Sequence, residues 1–432
     1  MTRTNDLIRS SSPTSDLRVV VIGLGYVGLP LVVEACRAGL AVTGLDVDPS
    51  VVDRLREGSS HVDDVPDAVI AETLRHGFRP TIDAGCLDDA DVVVICVPTP
   101  LDAEREPDLT AVRAASATIR DHLHSGMLVV LESTSYPGTT DTVVRSILEE
   151  SGSIAGLDFH LAFSPERIDP GNPVWGLRNT PKIVGGFTPA CTERAARFYG
   201  RIVDTVVRVS GTREAEMAKL LENTYRHVNI ALVNEMAVFS HHLGIDLWEA
   251  IDAARTKPFG FAAFYPGPGV GGHCIPIDPN YLSSHLRSLG HEFRFVELAQ
   301  EISNRMPDYV ASRVADMLTT RGRSIQGAQI LILGVTYKAD IADDRETPAR
   351  DLVRSLLKRG ASVRAHDPMV RSFHVDGVEI SMAADLDSAL HDCDVAILVQ
   401  AHSAYDLAVL ARHAPLVFDT RGRMRGSNVE RL

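Results

Sequence analysis

No apolar run in this chain reaches membrane-spanning length; the longest, such as residues 92–97, have the length of buried strands. The first 16 residues are polar and rich in serine and threonine, with no apolar stretch of the kind a secretory signal needs, and are expected as a disordered tail. Long basic runs are missing too. Lys and Arg number 43 against 57 Asp and Glu, a net charge of −14, which argues against nucleic acid or an anionic membrane as partner. The six cysteines, Cys36, Cys86, Cys96, Cys191, Cys274 and Cys393, form no CxxC pair and no Cys/His metal spacing. The 16 histidines are equally scattered, and His241-His242 reads as helix surface, so no metal site is expected. Reduced thiols and a cytoplasmic setting are the corresponding expectation.

What is present is ordinary globular material, 45% apolar and 23% charged, in 432 residues, enough for two or three domains. Residues 18–22 read as a buried parallel strand, followed by a glycine turn, a helical pattern over 29–38 and a second strand over 41–46. Further strands are expected near 91–97, 127–132, 159–163 and 182–185. From 212 the pattern turns helical: 212–242, 246–255 and 295–320, with a Gly/Pro/aromatic loop over 257–279. Strand and helix alternate again from 329, with strands at 329–335, 361–366, 394–399 and 416–419 and a helix at 348–359. The fold class is therefore α/β: two Rossmann-like, doubly wound parallel sheets joined by a central helical region. The boundaries fall at 17–211, 212–322 and 323–432. The helical middle is expected to serve as a dimer surface.

Chemistry enters with Gly23-Leu24-Gly25-Tyr26-Val27-Gly28, a GxGxxG placed after a strand and opening a helix. Gly23 permits the tight turn, Gly25 lets the backbone approach a pyrophosphate, and Gly28 allows close helix–strand packing. Asp46 closes the second strand 18 residues after Gly28. A carboxylate there accepts from ribose hydroxyls and repels a 2′-phosphate, which favours NAD over NADP.

The most informative stretch is Gly271-Gly272-His273-Cys274-Ile275-Pro276-Ile277-Asp278-Pro279. It sets one thiol between a glycine pair and a proline-stiffened turn, with Asp278 four residues on. In a nicotinamide-dependent chain, such a cysteine points to covalent capture of an aldehyde and oxidation onward to the acid. Other candidates sit past strand ends, where ligands of open α/β sheets gather. They are Thr99, Thr134 in Glu132-Ser133-Thr134, and Glu166 with Arg167 in Ser164-Pro165-Glu166-Arg167. Lys219 and Asn223 lie four apart on one helix face and can aim a cation and an amide at a developing oxyanion. Lys338 and Arg345 flank the first strand–helix turn of the last α/β unit, where Arg345 can fork onto phosphate. Taken singly, each has a plainer reading: a threonine satisfying loop backbone, a solvated glutamate, a solvated helix face, a surface ion pair.

Together these motifs resemble the UDP-sugar 6-dehydrogenase family, over roughly residues 17–425 and in the family's order. The resemblance implies an N-terminal NAD domain, a central helical dimerisation domain with the cysteine loop, and a C-terminal UDP-binding domain. It implies two oxidations at C6 of the sugar, alcohol to aldehyde to carboxylate, with two NAD reduced. Cys274 is then the nucleophile, passing through a thiohemiacetal and a thioester that water hydrolyses. Asp278 and Thr134 would position or activate that water, Lys219 and Asn223 would stabilise the oxyanion, and Glu166 would be an acid/base or thioester-hydrolysis glutamate. The cofactor contacts would be Gly23, Gly25, Tyr26, Val27, Gly28, Asp46, Thr99 and Thr134. The UDP-sugar contacts would be Glu166, Arg167, Lys219, Asn223, Tyr265, Gly267, Gly271, Lys338 and Arg345. The expected assembly is a homodimer through the central helices.

Three departures bear on the substrate. Glucose-type members usually carry Lys where Ile277 stands. They follow Ser-Pro-Glu with Phe and a second Glu, where Arg167 and Pro170 stand. They contribute an arginine across the dimer where Pro258 stands. All three resemble the N-acetylhexosamine branch, most closely the UDP-N-acetylglucosamine 6-dehydrogenases. UDP-glucose, UDP-N-acetylmannosamine and UDP-N-acetylgalactosamine remain alternatives. A one-step β-hydroxyacid dehydrogenase would need neither the cysteine loop nor the residues beyond 325. A silent nucleotide-sugar binder would not need Cys274, Lys219, Asn223 and Asp278 together.

Overall fold

The computed structural model describes residues 17–102, 106–169, 171–272, 275 and 278–432, and these form two units. The first unit holds residues up to 99, 109–133 and 138–216. Its strands are β1 (Arg18–Ile22), β2 (Ala41–Leu45), β3 (Arg79–Thr81), β4 (Val92–Ile95), β5 (Leu128–Leu131), β6 (His160–Phe163), β7 (Lys182–Gly186) and β8 (Val206–Arg208). They form one sheet in the order β3-β2-β1-β4-β5-β6-β7-β8. β1 pairs in parallel with β2 on one side and β4 on the other, Val20 facing Thr43 and Val93. A central parallel strand is covered on both faces, which is why Val-Val-Val-Ile and Leu-Val-Val-Leu read as unbroken apolar runs. The core gathers Val19, Val21, Leu29, Leu31, Val94 and Val130 with Phe198 and Tyr199 of the helix Pro189–Tyr199.

The second unit holds residues 100–108, 134–137 and 217–432. The helix Thr212–His242 runs on into it, followed by Leu247–Ala254, Asp278–Ser288 and Arg294–Thr319. Beyond these come β9 (Gln329–Leu333), β10 (Ser362–His366), β11 (Phe373–Val375), β12 (Val378–Ile380), β13 (Val395–Leu398), β14 (Val417–Asp419) and β15 (Val429–Arg431). Five of them make a second sheet in the order β10-β9-β13-β14-β15, parallel throughout, while β11 and β12 form a separate hairpin. Its core joins Ile330, Ile332, Val395 and Ile397 to Leu352 and Leu356 of the helix Pro348–Lys358 and to Met306, Val310 and Val314 of Arg294–Thr319.

The two sheets and the helical stretch are the α/β plan expected from the pattern. Three details differ. β7 runs antiparallel to β6, so the first sheet is mixed at that edge. The strand expected over 329–335 ends at Leu333, because Gly334 takes φ of +81° and turns the chain. The loop expected to reach residue 279 instead gives way to a helix at Asp278, with Pro279 in its first turn, where a missing N–H costs nothing.

Candidate active site

In the first unit the glycine turn is built as a phosphate cradle. Gly23 has φ of +89°, and a Cβ on it would stand 2.8 Å from the Cys96 carbonyl oxygen. A Cβ on Gly28 would fall 1.9 Å from the Gly23 oxygen, so the helix Gly28–Arg37 starts hard against the turn. Over Gly25 there is open space. The first helical turn carries no acidic residue and no side-chain cap, so its positive end suits an anion. Tyr26 is exposed and Val27 half-buried beside this opening. Asp46 accepts from Leu24 N at 2.8 Å and Asp48 N at 3.0 Å, which holds its carboxylate at the end of β2 over the turn. Thr99 is half-buried just beyond β4. These residues fit NAD: open backbone for the pyrophosphate and a carboxylate for the ribose.

Past β5 and β6 of the same unit lies a buried ionic cluster. The Lys182 ammonium donates to Glu132 Oε2 at 2.9 Å and Glu166 Oε2 at 3.0 Å. Glu166 Oε1 accepts from the backbone N–H groups of Arg167 and Ile168 at 2.8 and 2.7 Å. Arg167 reaches back to the Pro181 carbonyl at 2.6 Å.

In the second unit four predicted residues meet. The Lys219 ammonium donates to Thr134 Oγ1 at 2.6 Å, and Asn223 Nδ2 donates to Asp278 Oδ2 at 2.6 Å. All but Thr134, which is half-buried, are buried. Lys219 and Asn223 are one helical turn apart, so both point off one face of Thr212–His242. Burial pushes the Asp278 carboxyl up to about 6, although Lys219 and the Asn223 amide both pull it down. A carboxyl that changes charge near neutrality is suited to moving protons. Cys274 and His273, Pro276 and Ile277 around it lie outside the described residues, as does Pro170. Four of the described thiols are unsuited to nucleophilic work. Burial pushes Cys36 up to about 12, Cys86 and Cys393 up to about 11, and Cys96 well above its usual range.

The loop before the cysteine is braced by the turn after β9. A Cβ on Gly271 would lie 2.6 Å from the Glu346 oxygen, and one on Gly272, at φ of +87°, 2.8 Å from the Tyr337 ring. Gly267 N donates to Asn234 Oδ1 at 2.9 Å. Tyr265 donates its hydroxyl to Asp252 Oδ1 at 2.6 Å and stacks on Trp248, ring centroids 5.5 Å apart. Lys338 is half-buried on the turn, and its carbonyl accepts from Thr336 Oγ1 at 2.7 Å. Arg345 forks onto the Asp343 carboxylate at 2.8 and 2.6 Å, the ion pair that its surroundings in sequence suggested.

Sequence models of the UDP-glucose/GDP-mannose dehydrogenase family match in three pieces: the NAD-binding domain at residues 17–203, the central domain at 213–305 and the UDP-binding domain at 331–425. The chain belongs to this family. It is 35% identical over 399 residues to a UDP-N-acetyl-D-glucosamine 6-dehydrogenase of Pseudomonas aeruginosa, covering 92% of this chain and 90% of that one. It is 34% identical over 371 residues to a UDP-N-acetyl-D-mannosamine dehydrogenase of Pyrococcus horikoshii, covering 85% and 88%. A solved UDP-N-acetyl-D-mannosamine dehydrogenase structure from Pyrococcus horikoshii superposes with a TM-score of 0.87 at 31% identity, over 96% of this chain and 99% of that one.

The protein is thus an NAD-dependent nucleotide-sugar dehydrogenase with a UDP-binding domain. Among the described residues no helix is long and apolar enough to cross a membrane. Two features of this dehydrogenase escaped the sequence reading. Arg421 sends its guanidinium to within 3.1 Å of where a Gly267 side chain would begin, with Nε on the Val399 carbonyl at 2.7 Å. Burial presses it down to about 10, with the Asp419 carboxylate opposing, so it is a half-buried cation beside the Gly267 turn. The only hint in sequence is that it stands two residues after Asp419, at the end of β14. His227, one turn beyond Asn223, is fully buried, with the backbone of Ala299 and Ile275 beside its ring. Burial holds it neutral.

Proposed function

We propose that the enzyme oxidises the C6 hydroxyl of a UDP-N-acetylhexosamine twice, taking UDP-N-acetylglucosamine to UDP-N-acetylglucosaminuronate. The observation that carries this reading is the Thr134, Lys219, Asn223 and Asp278 cluster, with Asp278 poised near neutrality. NAD, when bound, accepts the hydride of each oxidation. Lys219 and Asn223 stabilise negative charge on the sugar oxygen as the alcohol ionises and again in the tetrahedral adduct. Cys274 adds to the aldehyde as a thiolate, giving a thiohemiacetal that keeps the aldehyde from escaping. The second oxidation leaves a thioester. Asp278, with Thr134 beside Lys219, takes a proton from the attacking water, which releases the acid and the thiol. In sum, alcohol, two NAD and water give carboxylate, two NADH and three protons.

Support for the N-acetylated sugar comes from Ile277, Pro258 and Arg167 standing where glucose-type members carry other residues. The Pyrococcus likeness favours UDP-N-acetylmannosamine as the second reading. A pocket difference of one side chain is worth only a few kcal/mol at most, so the sugar is decided by assay. NADH formation would be followed with UDP-N-acetylglucosamine, UDP-N-acetylmannosamine, UDP-N-acetylgalactosamine and UDP-glucose. The highest kcat/KM on UDP-N-acetylglucosamine supports the reading, and turnover on UDP-glucose alone overturns the substrate while keeping the class.

The assembly proposed is a homodimer through the helix Thr212–His242. Met217, Leu221, Tyr225, Leu232, Met236 and Phe239 recur every three to four residues, apart from one longer step, and all are exposed. A continuous apolar stripe on one helix face suits a second copy of itself. A reactive thiol is kept reduced in the cytoplasm, which supports a cytoplasmic setting.

A further inference from the structure

Lys182 is the first residue of β7 and has 4% of its surface exposed. Its ammonium bridges two carboxylates, Glu132 at the end of β5 and Glu166 at the end of β6, at 2.9 and 3.0 Å. Glu132 is fully buried and takes a second bond from the Tyr199 hydroxyl. The Tyr199 ring lies 5.3 Å from the ammonium. Among the described residues Cys96 also faces the cluster, and burial keeps its thiol neutral. Glu166 is held from the far side by two backbone N–H groups.

A buried ion pair is seldom a net stabiliser, and two carboxylates on one ammonium leave an excess negative charge. Burial raises the Glu132 carboxyl, with Lys182 opposing. The cluster sits at the carboxyl ends of the strands, where ligands gather in such sheets. We propose that Lys182 and Glu132 are positioning residues for Glu166: the ammonium holds and aims the Glu166 carboxylate, and Glu132 tempers that hold by competing for the same cation. This rests on the reading of Glu166 as an acid/base of the reaction.

The competition makes two substitutions act with opposite sign. Lys182→Met removes the cation, so the Glu166 carboxyl keeps its proton to a pH about one to three units higher. Glu132→Gln is isosteric and removes the competitor, leaving the ammonium to Glu166 alone, so the Glu166 proton leaves at a pH about one unit lower. Lys182→Arg keeps the charge and leaves that midpoint in place. The midpoint is read from the protonated-carboxyl C=O stretch in infrared titrations, assigned by subtracting Glu166→Gln, alongside kcat and KM for the UDP-sugar across pH. The expected result is opposite midpoint shifts, with kcat changed and KM within about threefold. Lys182→Met could fail to fold; Glu132→Gln then carries the test. Shifts of one sign, or none, with Glu166→Gln still impaired, overturn the proposal and leave the role of Glu166 standing. Full turnover in Glu166→Gln overturns that role and the proposal with it.

Discussion

Asp278→Asn separates what the buried carboxyl does for chemistry from what it does to the fold. Burial lifts this carboxyl from 3.8 to about 6, and the attractions of Lys219 and Asn223 only partly offset the rise. An acid whose folded pKa lies above its unfolded one adds stability below the unfolded value. That increment is lost as pH climbs from about 4 through about 6. At about 1.36 kcal/mol per unit, a lift of roughly two units is worth at most about 3 kcal/mol. Asparagine has no proton to lose, and its carbonyl can still accept from Asn223. The variant's stability relative to the parent therefore rises by roughly 1–3 kcal/mol between pH 4.5 and pH 8. In a unit of this size that amounts to roughly 2–10 °C in Tm. Acid formation falls about 10²- to 10⁴-fold, the usual weight of a general base. Differential scanning fluorimetry at the two pH values, with NADH formation on the same samples, makes the measurement. A Tm difference that stays the same at both pH values would refute the account of Asp278 as a buried carboxylate held against its solvation.

Asp46→Asn keeps an acceptor for Leu24 N but removes the charge. Its kcat/KM for NAD should fall about 10- to 100-fold, the weight of a hydrogen bond to a charged group, and the preference over NADP should narrow in steady-state kinetics. Gly272→Ala meets both a left-handed φ and the Tyr337 ring; a loss of roughly 1–3 kcal/mol and of UDP-sugar binding is expected by thermal shift and calorimetry. Leu221→Glu breaks the apolar stripe at an exposed position. It should shift sedimentation velocity from dimer toward monomer, and an unchanged dimer would place the interface elsewhere.

Both sheets were legible because buried parallel strands are runs of Val, Ile and Leu, and the glycine turn was legible because its steric demands name glycine at fixed offsets. β3 and β8 were not, since Arg-Pro-Thr and Val-Val-Arg are edge pieces too short to carry a period. The helix beginning at Asp278 was hidden because Pro279 reads as a loop marker until the chain is seen to use it as a first-turn residue. The pairing of Thr134 with Lys219 spans 85 residues, and that of Asn223 with Asp278 spans 55. Neither follows from local pattern; the family resemblance named all four residues but grouped Lys219 with Asn223 and Thr134 with Asp278. Lys182 had no such help, since a lysine opening a strand looks like a solvated edge and only the converging ends of β5 and β6 bury it.

The central claim is oxidation through a cysteine-bound thioester, and product stoichiometry tests it most directly. NADH would be counted against uronic acid formed from UDP-N-acetylglucosamine, with Cys274→Ala run beside the parent. The account predicts two NADH per acid in the parent and no acid from the variant. One NADH per sugar, unaffected by loss of the thiol, would contradict it.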